Sequence, residues 1–329
     1  MKKITAMILL LAMVLALAAC SGGTNADDKN TDSSEDTYTI GVLYLDQEVL
    51  LSEATAGCQA YAAEHSNVKL IEYNANKDVS TQLKQCENLI SQNVDAIALT
   101  PVDGAGCDQI INACKDAGIP LICFHAKVNG APITNILFDN VGFGKMQVDY
   151  AMEIFEKSGG DMNGTINVGI VTGKLDNQNA VERCQGYEEQ LKNYANATIV
   201  DEQVGSWNRD DAMAIAENWI TSGRDIDIIL SNNDAMAIGI SLAYANANVE
   251  RPIIIGVGGT EEGLTAILNG DFDGTVFQPA YQNGYDAIDF TVKYLNGETL
   301  EESYVTEGVL VTPETAQATL DDLNAMLNS

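Results

Sequence analysis

The chain has 329 residues, 47 of them Asp or Glu against 17 Lys or Arg, for a formal net charge of −30 at pH 7. Nucleic acids and anionic lipid surfaces are polyanions, so this charge excludes both as partners held by electrostatics. The 292 residues from 38 onward are long for a single core and fit two lobes of ordinary domain size.

Lys2 and Lys3 precede an apolar run, residues 4–19, whose single polar residue is Thr5. These 16 residues fall short of the roughly 20 that a membrane span needs, and they match the length and flanks of an export signal. Leu17-Ala18-Ala19-Cys20 is similar to a bacterial lipobox. It predicts a signal peptide over 1–19, cleavage ahead of Cys20 and a diacylglycerol on the Cys20 thiol; an ordinary cleaved signal or a hydrophobic anchor is the alternative. No aliphatic residue larger than Ala occurs from 21 to 37, so residues 20–37 are expected to form a flexible tether that cannot offset its ordering entropy.

From Tyr38 on, β-rich runs alternate with stretches of helical spacing. The runs 38–44, 68–73, 94–100, 119–124 and 134–139 predict one set of strands, and 166–172, 197–204, 226–231, 252–258 and 274–278 a second. Between two of them, "DVSTQLKQCENLISQ" puts Val79, Leu83, Cys86 and Ile90 on one stripe, with Asp78 as the N-cap. Such alternation predicts an α/β fold with parallel sheets covered by helices on both faces, and the unbroken apolar strand "PIIIGV" agrees. The series runs through twice, over 38–137 and 138–278, which implies two doubly wound lobes with a cleft between the carboxyl ends of their strands.

Beyond Cys20 there are six cysteines, at 58, 86, 107, 114, 123 and 184. An even count in an exported chain invites bridges. Their placement favours small buried hydrophobes instead. Cys86 lies on the helical stripe and Cys123 inside "LICF", while Cys107 and Cys114 stand too far apart along one helix face to bond each other. Both readings stay open.

No enzyme signature appears: there is no G-x-S-x-G, no G-x-x-x-x-G-K-[ST] and no H-E-x-x-H. "GVGG" (256–259) has Glu261 where a dinucleotide fingerprint needs its third glycine, so it reads as a strand-end turn. His65 and His125 are too few and too scattered for a metal constellation, and neither a metal nor a cofactor is expected. His125 closes a predicted strand, a position suited to a ligand contact, although a loop histidine explains it as well.

At "SNNDAMAIGI" (231–240) the chain resembles the solute-binding proteins of sugar ATP-binding-cassette importers, the ribose/galactose type and most closely its galactose/glucose-binding members. The likeness extends over residues 39–300 through "NVDAIALTPVDG", "GIPLICF", "GSWNRDDAMAIAENW", "PIIIGV" and "NGDFDGTVFQ". It implies the type I periplasmic binding protein fold, with lobes of 38–137 plus 279–307 and 138–278 plus 308–329. Three crossovers would join them, near Ile136 to Asp139, near Phe277 to Ala280 and around 306–311.

The resemblance also implies a site. Asn233 matches an Asn that hydrogen-bonds sugar hydroxyls, although it could equally cap the following helix. Arg183 matches a sugar-binding Arg, Trp207 an aromatic that stacks on a pyranose, and Gln278 an amide near a crossover. Thr100, His125, Asn177, Asn179 and Glu48 align with further contacts, while Trp219 is expected in the core. Replacing Asn233 or Arg183 by Ala is expected to weaken binding and leave the fold intact.

Several positions depart from the pattern. Gly258 stands where an Asp usually binds sugar hydroxyls, Leu50 or Leu51 replaces an aromatic, Asn179 an acid and Thr100 an Asn. The implied ligand is therefore a neutral sugar other than galactose, a modified sugar or a polyol-like solute. "DMNGTIN" (161–167) lacks the later Asp of the related calcium loop, so no calcium is expected. The reading is a non-enzymatic, extracytoplasmic, lipid-anchored monomer that delivers its ligand to an ABC permease. The alternative is a lipoprotein presenting a solute to a membrane kinase or chemoreceptor.

Overall fold

The computed structural model describes residues 37–328 apart from 105, 129 and 131. The predicted signal, Cys20 and the tether as far as residue 36 lie outside the described residues. Among the described residues, no helix is long and apolar enough to cross a membrane.

The first series runs β1 (Tyr38–Tyr44), α1 (Val49–Glu64), β2 (Val68–Asn74), α2 (Val79–Ser91), β3 (Ala96–Leu99), α3 (Asp108–Ala117), β4 (Leu121–Phe124) and β5 (Thr134–Phe138). The second runs α4 (Asn140–Lys157), β6 (Ile166–Thr172), α5 (Gln178–Leu191), β7 (Ala197–Val204), α6 (Arg209–Thr221), β8 (Ile228–Ser231), α7 (Asp234–Ala247), β9 (Ile253–Gly258), α8 (Glu261–Asn269) and β10 (Gly274–Phe277). The chain then forms α9 (Ala280–Leu295), β11 (Ser303–Thr306), β12 (Val309–Val311) and α10 (Ala316–Leu327).

Two six-stranded sheets result, ordered β2-β1-β3-β4-β5-β11 and β7-β6-β8-β9-β10-β12. Every pairing is parallel except the antiparallel β10–β12 pair. Strand order reverses beside β1 in one sheet and beside β6 in the other, so each has a switch point at the carboxyl ends, β1/β3 and β6/β8. The chain passes between sheets three times, from β5 to α4, from β10 to α9 and from β11 to β12. These are the lobes and the three-strand hinge of the expected fold.

Each sheet is buried on both faces. On one side of the first, Ala54, Cys58 and Tyr61 of α1 and Ala287, Ile288 and Val292 of α9 pack on Ile40, Val42, Ala98 and Ile122. On the other side, Cys86 and Leu89 of α2 and Ile110 and Cys114 of α3 pack on Leu43, Ile97 and Leu99. The second sheet is sandwiched likewise, with Trp219 in its core at 3 % exposure.

Two expectations need correction. Asp78 caps α2 as expected, through Thr81 N–H to Oδ1 at 2.6 Å, but the buried stripe is Gln82, Cys86 and Leu89. Val79 is exposed and Leu83 and Ile90 are only half-buried, because Gln82 turns inward to hold the β3–α3 loop at Thr100 O and Val102 N. The strands β11 and β12 escaped a reading of apolar runs because they are short, polar or exposed edge segments. All six described cysteines are free thiols, five of them buried.

Candidate functional site

The site forms where the switch points meet the hinge, and Arg183 is at its centre. α5 begins at the carboxyl end of β6, with Asn177 as its N-cap accepting from Asn179 N–H at 2.9 Å. One and a half turns on, Arg183 points inward and is 3 % exposed. Gly144 and Gly186 make that placement possible: a Cβ on either would overlap backbone of the opposing helix, α5 or α4. Arg183 Nε donates to Asn140 Oδ1 at 3.0 Å, Nη1 to Asn232 O at 2.5 Å and Nη2 to Gln278 Oε1 at 2.6 Å. Its planar fork thus ties α5 to the carboxyl end of β8 and to two of the three hinge connections. Burial lowers the guanidinium pKa to about 10, which leaves it a cation at neutral pH. The rings of Trp207 and Phe143 flank it at 5.6 and 5.8 Å.

The residues after β8 are all engaged. Asn232 accepts from Gly173 N–H at 2.9 Å and donates to Tyr187 OH at 3.0 Å. Asn233 caps α7, accepting from Met236 N–H at 2.9 Å, and donates to the Trp207 carbonyl at 3.3 Å. Trp207 has a left-handed backbone, φ +66°, and lies over Gly173, where any Cβ would fall on the indole ring. Asp234 is buried and takes three donors: Gly259 N–H at 2.7 Å, Thr260 N–H at 3.2 Å and Thr275 Oγ1 at 2.6 Å. Burial raises its pKa against the pull of those donors and of Arg183. A Cβ at Gly258 would lie 2.9 Å from Asp234 Oδ2. The acid missing at 258 is thus matched by one already filling that space.

The first lobe contributes differently. Thr100 is fully buried at the end of β3; its Oγ1 accepts from Leu45 N–H at 2.8 Å and donates to Leu43 O at 3.4 Å, so it holds the β1–α1 loop. Leu51 is buried in that loop's helix and Leu50 half-buried. His125 ends β4 with φ +70° and its ring stands edge-on to Phe138 at 5.5 Å. Its Nδ1 is buried without a partner among the described residues. Burial, with Arg183 nearby, lowers its pKa to about 4, so the imidazole is neutral at pH 7. Its carbonyl accepts from Asn179 Nδ2 at 3.3 Å, a hydrogen bond that crosses between the lobes.

Arg183, Asn179, Trp207, Asn233, Gln278 and His125 are thus brought together, with Asn177 capping the helix that carries two of them. Thr100 supports the loop beside them. Glu48 stays out, exposed at the rim and paired with Lys77, which also meets Asp46 at 3.0 Å. Sequence reasoning missed Asn140 and Asn232, whose amides hold Arg183 and its neighbours. It also missed Glu53, a charged residue inside the helical pattern of α1 that is only 3 % exposed. Among the described residues, no group of three or more His, Cys, Asp or Glu could hold a metal ion.

A model of the periplasmic binding protein domain matches residues 42–299. The chain belongs to the periplasmic binding protein family. This periplasmic binding protein is 30 % identical to the xylitol-binding protein of Mycolicibacterium smegmatis over 94 % of its own length and 84 % of the relative's. It is 29 % identical to a putative rhizopine-binding protein of Rhizobium meliloti, covering 78 % of this chain and 84 % of that one. Among solved structures, an ABC transporter solute-binding protein of Bacillus halodurans with bound myo-inositol superposes with a TM-score of 0.78 at 29 % identity, over 87 % of this chain and 98 % of that one.

Proposed function

We propose that this periplasmic binding protein captures a neutral, hydroxyl-rich solute, a sugar or a polyol, between its lobes and passes it to an ABC permease, tethered outside the cytoplasm by a lipid on Cys20. The supporting observation is the buried Arg183 cluster, bonded to Asn140 and Gln278 of the hinge connections and neighboured by Asn179, which reaches His125 across the lobes. Arginine and amide side chains suit vicinal hydroxyls, because each presents several fixed donors or a donor and acceptor side by side. Trp207 adds an apolar face for C–H groups of the ligand. A relative named for xylitol binding and a similar solved structure with bound myo-inositol support a ligand without charge.

In this reading the lobes, 38–137 plus 279–307 and 138–278 plus 308–329, close on the ligand. Contacts made only when both lobes are engaged supply the free energy of closure. The chain makes or breaks no covalent bond of its ligand. The test is calorimetry and thermal shift of the mature protein with myo-inositol, xylitol and galactose. Binding of a polyol or sugar, with a raised melting temperature, is expected. A flat response to these three and to a wider sugar panel would overturn the proposal.

A further inference from the structure

We infer that Glu53, on α1 of the first lobe, is a specificity-determining residue of the cleft that reads a ligand hydroxyl through its carboxyl group. The inference rests on the polyol or sugar reading above and deepens it.

Glu53 is 3 % exposed, and its Oε2 is buried with no hydrogen-bond partner among the described residues. A buried carboxyl oxygen left unpaired is costly and calls for an explanation. α1 starts at the carboxyl end of β1, on the cleft side of the first lobe, and packs along α9 as that helix leaves the hinge. There Asn283 Oδ1 is a second buried oxygen without a partner.

The acid that bears on Glu53 is Asp234 of the second lobe, itself backed by Arg183. α9 also carries Asp286, Asp289 and Lys293, the last two paired with each other, and Glu72 of β2 is bonded to Tyr44 and Gln59. Glu53 lies one turn into α1, at the end of that helix beside the carboxyl end of β1, and the acid that influences it has its oxygens already taken by three donors. With Gly258 lacking a side chain, the carboxyl with an unmatched oxygen belongs to the first lobe.

Burial and the Asp234 charge raise the Glu53 pKa to about 8. At neutral pH the carboxyl is an acid, with one O–H to donate and oxygens to accept, which matches a hydroxyl that gives one hydrogen bond and takes one. Ionised, it would meet Asp234 as a like charge when the lobes close. In this proposal opening of the lobes draws Asp234 away from Glu53 and admits water to it, which lowers the carboxyl pKa, so closure on a ligand takes up part of a proton below about pH 8.

The test is calorimetry with myo-inositol and xylitol at pH 7.5 in buffers of different ionisation enthalpy. At that pH His125 contributes at most the release of about a tenth of a proton, opposite in sign to the uptake expected from Glu53. Wild type is expected to take up a substantial fraction of one proton per ligand, and to lose affinity by about threefold between pH 7.5 and 8.5. Glu53→Gln should bind with no uptake and a flat pH profile, and Glu53→Ala should bind at least about tenfold more weakly. Should Glu53→Ala fail to fold, Glu53→Gln, equal in shape, carries the test alone. No uptake by wild type, uptake that persists in Glu53→Gln, or wild-type affinity in a folded Glu53→Ala variant would overturn the inference and leave the polyol or sugar reading standing. Absence of any polyol or sugar binding by wild type would overturn both.

Discussion

The two sides of the cleft are built on the same strand order but hold their polar groups in opposite ways. On the second-lobe side, Arg183, Asn232, Asn233 and Asp234 are interlocked, each with partners inside the lobe or on the hinge. On the first-lobe side, Thr100 is spent on its own loop, Glu48 points to solvent, and His125 and Glu53 each present a buried atom with no partner among the described residues. A preorganised surface has already lost the side-chain entropy that binding would otherwise cost. The second lobe therefore suits the first encounter with a ligand, and the first lobe suits the closing step, where a small change in contacts or charge biases the equilibrium.

The largest break in this contrast comes from Arg183. Its removal leaves Asn140 Oδ1, Asn232 O and Gln278 Oε1 buried without their donor. Arg183→Ala is expected to lower unfolding stability by about 3–5 kcal/mol, read by urea denaturation, along with a loss of ligand binding. The sequence alone implied that this variant would keep its fold. The structure implies otherwise, because the guanidinium is part of the hinge's own hydrogen-bonding. Near-native stability in Arg183→Ala would show that the second lobe is not preorganised through this residue.

The strands of the two series and their alternation with helices were legible because apolar runs and helical spacing report burial, and here both sheets are buried on both faces. The three-residue β12 and four-residue β11 were not, since an edge strand with exposed side chains leaves no periodic trace. Much of the site was legible only through the resemblance, which marks positions and not partners. Nothing local to Asn140 announces that it meets an arginine 43 residues away. The inward turn of Glu53 depends on α9, more than 200 residues later in the chain. The departure at Gly258 was visible, but the carboxyl that fills its space comes from position 234.

A smaller effect sharpens the contrast from the first-lobe side. His125 has a folded pKa of about 4 against about 6.5 when exposed. The folded state therefore binds fewer protons than the unfolded state between these values, and the stability held above pH 6.5 is lost as the pH falls toward 4, by on the order of 2 kcal/mol. Denaturation series at pH 7, 5.5 and 4.5 should show this slope, and His125→Asn should reduce it. Glu53 tilts the curve the other way, its raised pKa costing stability as the pH rises toward 8. If His125→Asn leaves the acid slope unchanged, the imidazole is not held neutral by its burial.

The smallest effect is expected at Glu48, which the alignment places in the site and the structure places at its rim. Its side chain is 55 % exposed and that of its partner Lys77 51 %. An ion pair so open to water contributes at most about 0.5 kcal/mol, because solvent screens the attraction and two long side chains lose freedom to hold it. Glu48→Gln should therefore leave the denaturation midpoint almost unmoved and change ligand affinity by less than about twofold. An affinity loss of tenfold with unchanged stability would mean that Glu48 leaves Lys77 to meet the ligand. The first lobe would then read it through a mobile surface carboxylate as well as through groups buried at its floor, and the assignment of closure to buried groups alone would fail.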